Sequence, residues 1–441
     1  MPSIGLSMIV KNGGNDLRLC LSSVRSLVSQ IVIADTGSSD DTPAVAAEFG
    51  AHVISYGWAD HFAEARNAAL AKMHTDWILV LDADEEMTEP GVAAARELVD
   101  RTPEDVGAYR ISIRNYTLEP FTLTLGSMSR RNTDTQERAK HALSYTEHRM
   151  TRLFRRHPSI SFVNRIHEQV DARVLELGMR IEDGNFLIRH YGHLQPSSIK
   201  RTYYRLLGKM TLEDTPDDAL AFFEAGGEEY SAGNHDRALR LFRESYRLRP
   251  SGQAAFMIAN IHCARRSFDE ALVAINAIPD RSDLLIGKLT LKGDALVGIG
   301  NLAEAREAYA SALRITPDKG AGGEYSLQSL IESKLGFIEV MLGDAAEGIP
   351  RLEQAVLKLP QIFDFHDRLV KAWIVCKRDD RAGDAQERLL RYFADETQIA
   401  RAAVLRLRSG NSARARQILK KGLALIPESR RLQNLLTEIR T

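Results

Sequence analysis

The chain has 441 residues, of which 44% are hydrophobic and 27% are charged, a composition typical of soluble globular proteins. This length predicts two or three domains, because one hydrophobic core seldom grows beyond about 250–300 residues. The 58 basic and 59 acidic side chains nearly cancel, which excludes a global charge that would recruit nucleic acid or an acidic membrane.

The three cysteines, Cys20, Cys263 and Cys376, lie too far apart to form a disulfide framework or a metal cluster, which favours a reducing compartment. The apolar run from Met1 to Val10 has no cleavage pattern behind it and is interpreted as a strand, not a signal peptide. No stretch approaches the roughly 20 apolar residues of a membrane span. We therefore expect a cytoplasmic protein.

Short apolar strands alternate with amphipathic helices over the first hundred residues. The predicted strands are Ser3 to Val10, Ile31 to Ala34, His52 to Ser55 and Trp77 to Leu81, and the predicted helices are Asp16 to Val28, Thr42 to Phe49 and Phe62 to Met73. This alternation predicts an α/β domain with a Rossmann-like, mostly parallel sheet covered by helices on both faces.

The strand from Trp77 to Leu81 ends in the acidic pair Asp82 and Asp84. Open α/β sheets bind their ligands at the carboxyl ends of strands. Two hard oxygen ligands there suit Mg²⁺ or Mn²⁺ holding a diphosphate. An ordinary solvated strand exit is the alternative interpretation of so short a motif.

The next part of the chain is less regular. Residues 106–116 alternate as a strand, but Thr117 to His148 is polar and without periodicity. We predict a long loop there, which is either a mobile lid over the active site or disordered. Order resumes at Arg152 to Arg156, and two histidine-bearing stretches follow, Ile166 to Gln169 and Ile188 to His193.

From about Pro196 onward the sequence is helical and repetitive. Gly233, Ala238 and Pro250 recur 67 residues later as Gly300, Ala305 and Pro317. A step of 67 is close to two 34-residue units, so this segment resembles tetratricopeptide repeats. We therefore predict two domains, an α/β domain at 1–213 and an all-α solenoid at 214–441.

Six motifs in the first 195 or so residues resemble, in matching order, family 2 glycosyltransferases of the GT-A fold. Within that family they are similar to the bacterial group with helical repeats, which includes the sublancin S-glycosyltransferase. The motifs are Ser7 to Asn12, Ala34 to Thr42, Ala65 to Asn67, Trp77 to Glu85, Ile166 to Glu168 and His190 to Gly192. One departure is clear, because this group usually has two glutamates where Gly13 and Gly14 stand here.

The resemblance implies specific roles for site residues. The residues implied to bind the nucleotide sugar are Val10, Asn12, Asp35, Arg66, Asp82 and Ala83. Asp84 would bind Mn²⁺ or Mg²⁺, and His190 would be a further metal ligand or contact the diphosphate. Glu168 is the implied catalytic base, and His167 would orient Glu168 or contact phosphate. The alternatives are structural: a salt-bridged helix arginine, a packing histidine and a surface acid.

The resulting hypothesis is an inverting, metal-dependent transfer from a UDP-sugar, such as UDP-glucose or UDP-N-acetylglucosamine. The acceptor would be a Ser, Thr or Cys side chain of a peptide or protein held by the repeats. A homodimer is plausible, and neither nucleic acid nor a membrane span is expected as a partner. Three alternatives stay open: a saccharide or lipid-linked acceptor, a non-enzymatic repeat scaffold with a decayed first domain, and a nucleotidyltransferase.

Overall fold

A computed structural model describes residues 1–119, 123–124, 127–194, 198–280, 282–316 and 324–439. The chain forms two compact units, Met1–Pro250 and Ser251–Thr441. The domain boundary predicted between residues 213 and 214 falls inside the first unit and stays a prediction about sequence organisation. Among the described residues, no helix is both long enough and apolar enough to cross a membrane.

The first unit contains a large sheet with helices packed on it. Its strands are β1 (Ile4–Val10), β2 (Gln30–Asp35), β3 (His52–Ser55), β4 (Trp77–Val80), β5 (Glu85–Met87), β6 (Val106–Thr117), β7 (Leu123–Thr124), β8 (Ser127–Met128), β9 (Arg130–Arg131), β10 (Ser144–Arg155) and β11 (Arg180–His190). Its helices are α1 (Gly14–Val24), α2 (Thr42–Glu48), α3 (Phe62–Leu70), α4 (Glu89–Asp100), α5 (Asp171–Glu176), α6 (Ser198–Asp214), α7 (Ala219–Ser231) and α8 (His235–Leu248).

The strand order of the sheet is β3-β2-β1-β4-β10-β6-β11-β5, with β9 beside β10. The first four strands are parallel to one another, as predicted. Beyond them the sheet is mixed, because β10 runs antiparallel to both β4 and β6, and β5 runs antiparallel to β11. The predicted α/β fold class is therefore confirmed, and the parallel part is limited to its first half and the β6–β11 pair.

Strand β4 is buried on both faces, which explains its unbroken apolar sequence. Trp77 and Leu79 belong to the core that also contains Leu17 of α1. Ile78 and Val80 belong to the core on the other face, with the alanines of α3. The sheet thus fixes β4 at the centre of the domain, and the acidic residues that follow it emerge at the carboxyl edge.

The segment from Thr117 to His148, predicted to be a long loop, is only partly irregular. Strand β9 and the first residues of β10 fall within it, and residues 120–122 and 125–126 lie outside the described part. The intervening turn is fastened to the sheet: Arg138 pairs with Glu86 and, at 2.6 Å, with Asp16. Whether this segment closes over a ligand stays a prediction.

The second unit is helical throughout its described residues. Its helices are α9 (Gly252–Ala264), α10 (Phe268–Asn276), α11 (Ser282–Gly298), α12 (Leu302–Ile315), α13 (Glu324–Met341), α14 (Ala345–Lys358), α15 (Phe363–Val375), α16 (Asp379–Leu389), α17 (Glu396–Arg408), α18 (Ser412–Leu425) and α19 (Arg430–Glu438). Buried side chains of successive helices form its cores.

The repeat predicted from the sequence is visible in the turns between helices. Glycines with left-handed backbone conformations, at φ from 78° to 94°, end the first helix of a pair at Gly233, Gly300, Gly343 and Gly410. Within pairs, Gly226 lies against Phe242 and, 67 residues later, Gly293 lies against Tyr309. Pro196 and Pro317, also part of the predicted pattern, lie outside the described residues.

Helix α6 packs directly on the segment that carries His167 and Glu168. Arg165 donates to Asp214 at the end of α6 over 2.9 Å, and the Tyr203 hydroxyl bonds to Asp60. A side chain at Gly208 would meet Ile166 at 3.8 Å, so helix and segment are in close contact. The first helices of the repetitive region are therefore structural parts of the sheet-containing unit.

Candidate active site

The carboxyl ends of β1 and β2 form one wall of the site. Val10 and Asp35 are paired in register, and the loops behind them are joined by hydrogen bonds. The Asn12 N–H donates to Ser38 Oγ over 2.8 Å, and Asn12 Oδ1 accepts from the Ser39 N–H over 2.8 Å. Asp35 Oδ1 accepts one hydrogen bond from the Ser38 N–H at 3.0 Å and another from the Ser38 hydroxyl at 2.6 Å. These bonds hold two predicted nucleotide-binding side chains, Asn12 and Asp35, in one arrangement.

Gly13 lies where the β1 loop meets the acidic segment after β4. A Cβ atom at this position would lie 2.8 Å from Val10 Cγ2 and 3.3 Å from Ala83 Cβ. The contact with Val10 is the tightest, so a side chain at this position would require the Val10 side chain to move. The glycine that departs from the family pattern thus fits a closely packed place between Val10, Leu17 and Ala83.

Asp82 is the centre of an ionic network in which the two arginines are buried and the Asp82 side chain is 35% exposed. Its Oδ1 accepts from Arg66 Nη2 at 2.7 Å, and its Oδ2 accepts from Arg152 Nη2 at 3.1 Å. The same Arg152 nitrogen donates to Glu85 Oε1 at 2.7 Å, and Glu85 Oε2 accepts from the Asp82 N–H at 2.9 Å. Arg66 Nε donates to Glu168 Oε1. Three carboxylates and two guanidinium groups therefore share one connected site.

Burial and charge act in opposite directions on this network. Burial raises the pKa of Asp82, but the charges of Arg66 and Arg152 outweigh it and hold that pKa well below its usual range. For Glu85 burial dominates over Arg152 and raises its pKa to about 7. Within the described residues, Arg66 Nη1 and Arg152 Nε are buried without a hydrogen-bond partner. Such orphaned donors are costly, and an anionic ligand would satisfy them.

Asp84 and His190 form a second group beside this network. Strand β11 pairs with β5 so that His190 lies opposite Glu85, and His190 Nε2 comes within 3.5 Å of Asp84 Oδ2. A Cβ atom on Gly192 would lie 2.5 Å from that oxygen and 2.7 Å from that nitrogen. Because Gly192 has no side chain, the space beside Asp84 Oδ2 and His190 Nε2 stays open.

This open space fits a hard divalent cation. A carboxylate oxygen and an imidazole nitrogen are both ligands that Mn²⁺ or Mg²⁺ can accept, and here they lie 3.5 Å apart beside Gly192. Among the described residues, no group of three or more His, Cys, Asp or Glu side chains is placed to hold a metal. Asp84 and His190 could thus bind an ion only if water or ligand oxygens completed its coordination. Mg²⁺ is commonly bound in this way at diphosphate sites.

A layer behind His190 connects it to a second histidine. Asn115 Oδ1 lies 2.5 Å from His190 Nδ1, and Asn115 Nδ2 lies 2.9 Å from His148 Nδ1. These residues come from three adjacent strands, β11, β6 and β10. Burial and the nearby charge of Arg152 lower the pKa of His148 to about 4, so its imidazole is neutral at neutral pH.

Glu168 is oriented by Arg66, not by its neighbour His167. The Glu168 side chain is 12% exposed and shares Oε1 with Arg66. Among the described residues, no hydrogen bond joins His167 to Glu168. His167 has a left-handed backbone (φ 52°), and burial, opposed by the Glu168 charge, lowers the pKa of its imidazole. The catalytic roles implied for both residues stay predictions.

A family model described as "Glycosyl transferase family 2" matches residues 6–161. This range contains Asp35, Arg66, Asp82 and Asp84 at the edge of the sheet. Residues 6–161 therefore form a family 2 glycosyltransferase domain.

Curated relatives are named for repeats in one case and for glycosyl transfer in another. A TPR repeat-containing protein of Synechococcus elongatus is 33% identical over 253 residues, which cover 55% of this chain and 56% of the relative. The SPbeta prophage-derived glycosyltransferase SunS of Bacillus subtilis is 33% identical over 85 residues, 19% of this chain and 20% of SunS. The chain thus spans about half the length of the first relative and a fifth of the second.

Some solved structures with a likeness to the chain are tetratricopeptide repeat proteins by their titles. The APC/C hetero-tetramer Cut9-Hcn1 matches 54% of this chain and 46% of its own, with 19% identity and a TM-score of 0.42. The repeat architecture rests on the helix pairs and on the spacing of their turns.

The glycosyltransferase domain brings together most of the site residues that the sequence predicted. Arg66, Asp82 and Glu168 share one ionic network, Asp84 meets His190, and Ala83 lies against the Val10 and Asn12 loop through Gly13. Sequence reasoning missed four residues, which are Glu85, Arg152, Asn115 and His148. Glu85 stands within the acidic motif, but the other three reach the site only through pairing between distant strands.

Glu224 of α7 is an uncompensated carboxyl group close to this site. Burial, together with the charges of Asp218, Glu168 and Glu228, raises its pKa from 4.5 to about 8. Because the pKa of Glu224 is higher in the folded chain than in the unfolded chain, this group makes the folded state more stable at low pH than at high pH. That stability is lost as the pH rises from about 4.5 to about 8.

We therefore expect Glu224→Gln to melt at a higher temperature than the wild type at pH 9 and at an equal temperature near pH 4.5. Melting curves across this range test the expectation. Glu213→Gln, on the exposed side of α6, is the matched control and should follow the wild type throughout. A difference that does not grow with pH would mean that Glu224 is already ionised in the fold.

Proposed function

We propose that this protein is an inverting, metal-dependent glycosyltransferase that moves a sugar from a UDP-sugar to a Ser, Thr or Cys side chain of a peptide or protein. The observation that carries the proposal is the placement of the Asp84–His190 pair beside the Arg66–Asp82–Glu168 network. A family 2 domain at residues 6–161 supports the transfer chemistry. UDP-glucose and UDP-N-acetylglucosamine are the proposed donors.

The donor nucleotide would lie along the β1 and β2 edge. Asn12 and the carboxylate of Asp35 supply hydrogen-bond acceptors there, and an ionised carboxylate suits a ribose hydroxyl or a uracil N–H. Asp35 uses Oδ1 for Ser38, which fixes the orientation of its other oxygen. The buried Nη1 of Arg66 would gain a partner from a phosphate oxygen.

Asp84 and His190 would hold Mn²⁺ or Mg²⁺ together with the donor diphosphate. When bound, such an ion neutralises the negative charge that develops on the departing diphosphate. Asp82 accepts hydrogen bonds from Arg66 and Arg152, so it is better placed to orient these two guanidinium groups than to bind the metal ion. In this proposal Asp82 positions the two arginines and Asp84 binds the metal ion.

Glu168 would take the proton from the acceptor. Arg66 holds one carboxylate oxygen, and among the described residues the other oxygen, Oε2, accepts no hydrogen bond. The acceptor oxygen or sulfur forms its bond to the anomeric carbon as the bond from that carbon to the diphosphate breaks on the opposite face. The acceptor proton passes to the Glu168 carboxylate, and the anomeric configuration inverts.

The repeats support a peptide or protein acceptor. Helical-repeat proteins present extended surfaces that commonly bind a polypeptide segment. The Synechococcus relative carries such repeats by its name. A saccharide or lipid-linked acceptor would use the same donor site, so the donor half of the proposal is independent of this choice. A homodimer also stays a proposal.

The deciding experiment is a thermal shift of the full chain with UDP and UDP-sugars, in Mn²⁺ or in EDTA. Two variants accompany the wild type. Asp84→Asn removes a proposed ligand, and Gly192→Ala keeps both donor atoms but places a methyl group where the ion would lie. We expect a rise in melting temperature that requires both Mn²⁺ and the nucleotide.

Both variants should abolish this metal-dependent rise while melting near the wild-type temperature without ligand. Asp100→Asn, at the exposed end of α4, is the control and should retain the rise. A shift that persists in EDTA would remove the metal from the proposal. If no nucleotide shifts the wild type, the transferase proposal fails and the scaffold alternative becomes the better interpretation.

A further inference from the structure

Asn115 is a buried amide with one histidine at each end. It is 8% exposed, and it lies on β6 between β10, which carries His148, and β11, which carries His190. Strand register places Asn115 directly opposite His190, so the contact is built into the sheet. No role is assigned to this residue by the chemistry described above.

The amide orientation in the structure presents a different group to each ring. Asn115 Oδ1 lies 2.5 Å from His190 Nδ1, and an oxygen in this place accepts a hydrogen bond from Nδ1–H. Asn115 Nδ2 lies 2.9 Å from His148 Nδ1, and an amide nitrogen in this place donates to the Nδ1 lone pair. In this orientation one amide satisfies both rings.

In the neutral His190 ring with hydrogen on Nδ1, Nε2 carries the lone pair that can bind a cation. Nε2 is the atom that faces Asp84 Oδ2 and the space beside Gly192. In the opposite tautomer Nε2 would carry a hydrogen and could not be a ligand. Metal-binding histidines commonly donate their other ring N–H to a protein oxygen, and this bond fixes the ring.

We infer that Asn115 is a positioning residue, which holds His190 in the tautomer with hydrogen on Nδ1 and so prepares Nε2 to bind the metal ion. This inference rests on the metal site of the proposed function. It adds a requirement that the site itself does not reveal, namely a neutral acceptor oxygen behind the histidine. His148 completes the arrangement because its lone pair takes the amide hydrogens and prevents the amide from turning round.

Two substitutions separate positioning from packing. Asn115→Leu has a similar volume and removes the acceptor, whereas Asn115→Asp keeps an acceptor oxygen for His190 Nδ1–H. The free Mn²⁺ signal in electron paramagnetic resonance measures metal binding to the full chain in each variant. We expect Asn115→Leu to weaken Mn²⁺ binding about 10–100-fold and Asn115→Asp to stay within about threefold of the wild type.

The tautomer is measured separately in the metal-free protein, by nitrogen-15 spectra of labelled histidine at pH 8.5, with His190→Gln identifying the signal. The wild type and Asn115→Asp should show hydrogen on Nδ1 of His190, and Asn115→Leu should shift it toward Nε2. Equal Mn²⁺ affinities in the Leu variant and the wild type, equal losses in the Leu and Asp variants, or an unchanged tautomer in the Leu variant would each overturn the inference. If Asp84→Asn binds Mn²⁺ normally, the metal proposal fails instead, and the tautomer spectra still decide the role of Asn115.

Discussion

Glu168→Gln is expected to bind the UDP-sugar like the wild type but to transfer the sugar about 10²–10⁴-fold more slowly. The glutamine keeps a carbonyl oxygen that can accept from Arg66 Nε, so the shape of the network is retained. It cannot take a proton from the acceptor. The loss should therefore appear in the rate of the chemical step and not in donor affinity.

The release of UDP from the donor, to a peptide acceptor or to water, measures the rate under single-turnover conditions. Thermal shift with UDP and Mn²⁺ measures donor binding in the same samples. Glu229→Gln is a matched control, since Glu229 is also a buried glutamate paired with arginine, on α7. Retention of more than about a tenth of the wild-type rate would remove Glu168 from the role of base.

Arg66→Met is expected to lower the free energy of unfolding by about 3–5 kcal/mol and to abolish donor binding. Arg66 is 6% exposed and pairs with two carboxylates, Asp82 and Glu168. Methionine has a comparable length but leaves these charges without one of their partners in a buried site. Arg152 still compensates Asp82, so Glu168 should be the more destabilised of the two.

Urea unfolding of the full chain measures this cost. In the double variant Arg66→Met with Glu168→Gln, the uncompensated glutamate charge is gone, and we expect part of the stability to return. Arg110→Met is the control, because Arg110 makes an exposed pair with Asp171 and should cost under about 1 kcal/mol. Equal effects of Arg66→Met and Arg110→Met would show that the network contributes little to stability.

Local patterns in the sequence were sufficient for the first half of the sheet. Four apolar residues form β4 and Leu81 follows them before the acids, and β1 and β2 are also largely apolar, so the strands and their parallel sheet could be predicted. The repeats could also be predicted from the sequence, because glycine and proline recur at a fixed distance along the chain. These features depend on residues close together in the chain.

Residues that reach the site through distant strand pairing could not be predicted in the same way. Strand β10 inserts between β4 and β6, which places Arg152 beside Asp82 although 70 residues separate them. The polar first residues of β10 suggested a loop because they interact with polar residues of β6, as Glu147 does with Ser112 and Arg114, and not with an apolar core. Only the register of the sheet shows that Asn115 connects His148 and His190.

The contacts between α6 and the segment from Arg165 to Glu168 limit where such a chain could recombine with another. The hydroxyl of Tyr203, the carboxylate of Asp214 and the contact at Gly208 tie the start of the helical array to the segment that carries Glu168. A recombination that joined a foreign array at residue 213 would therefore cut through one compact unit. A junction at Ser251 would leave that unit whole, so the outer helices could be exchanged without disturbing the sheet or the residues at its edge.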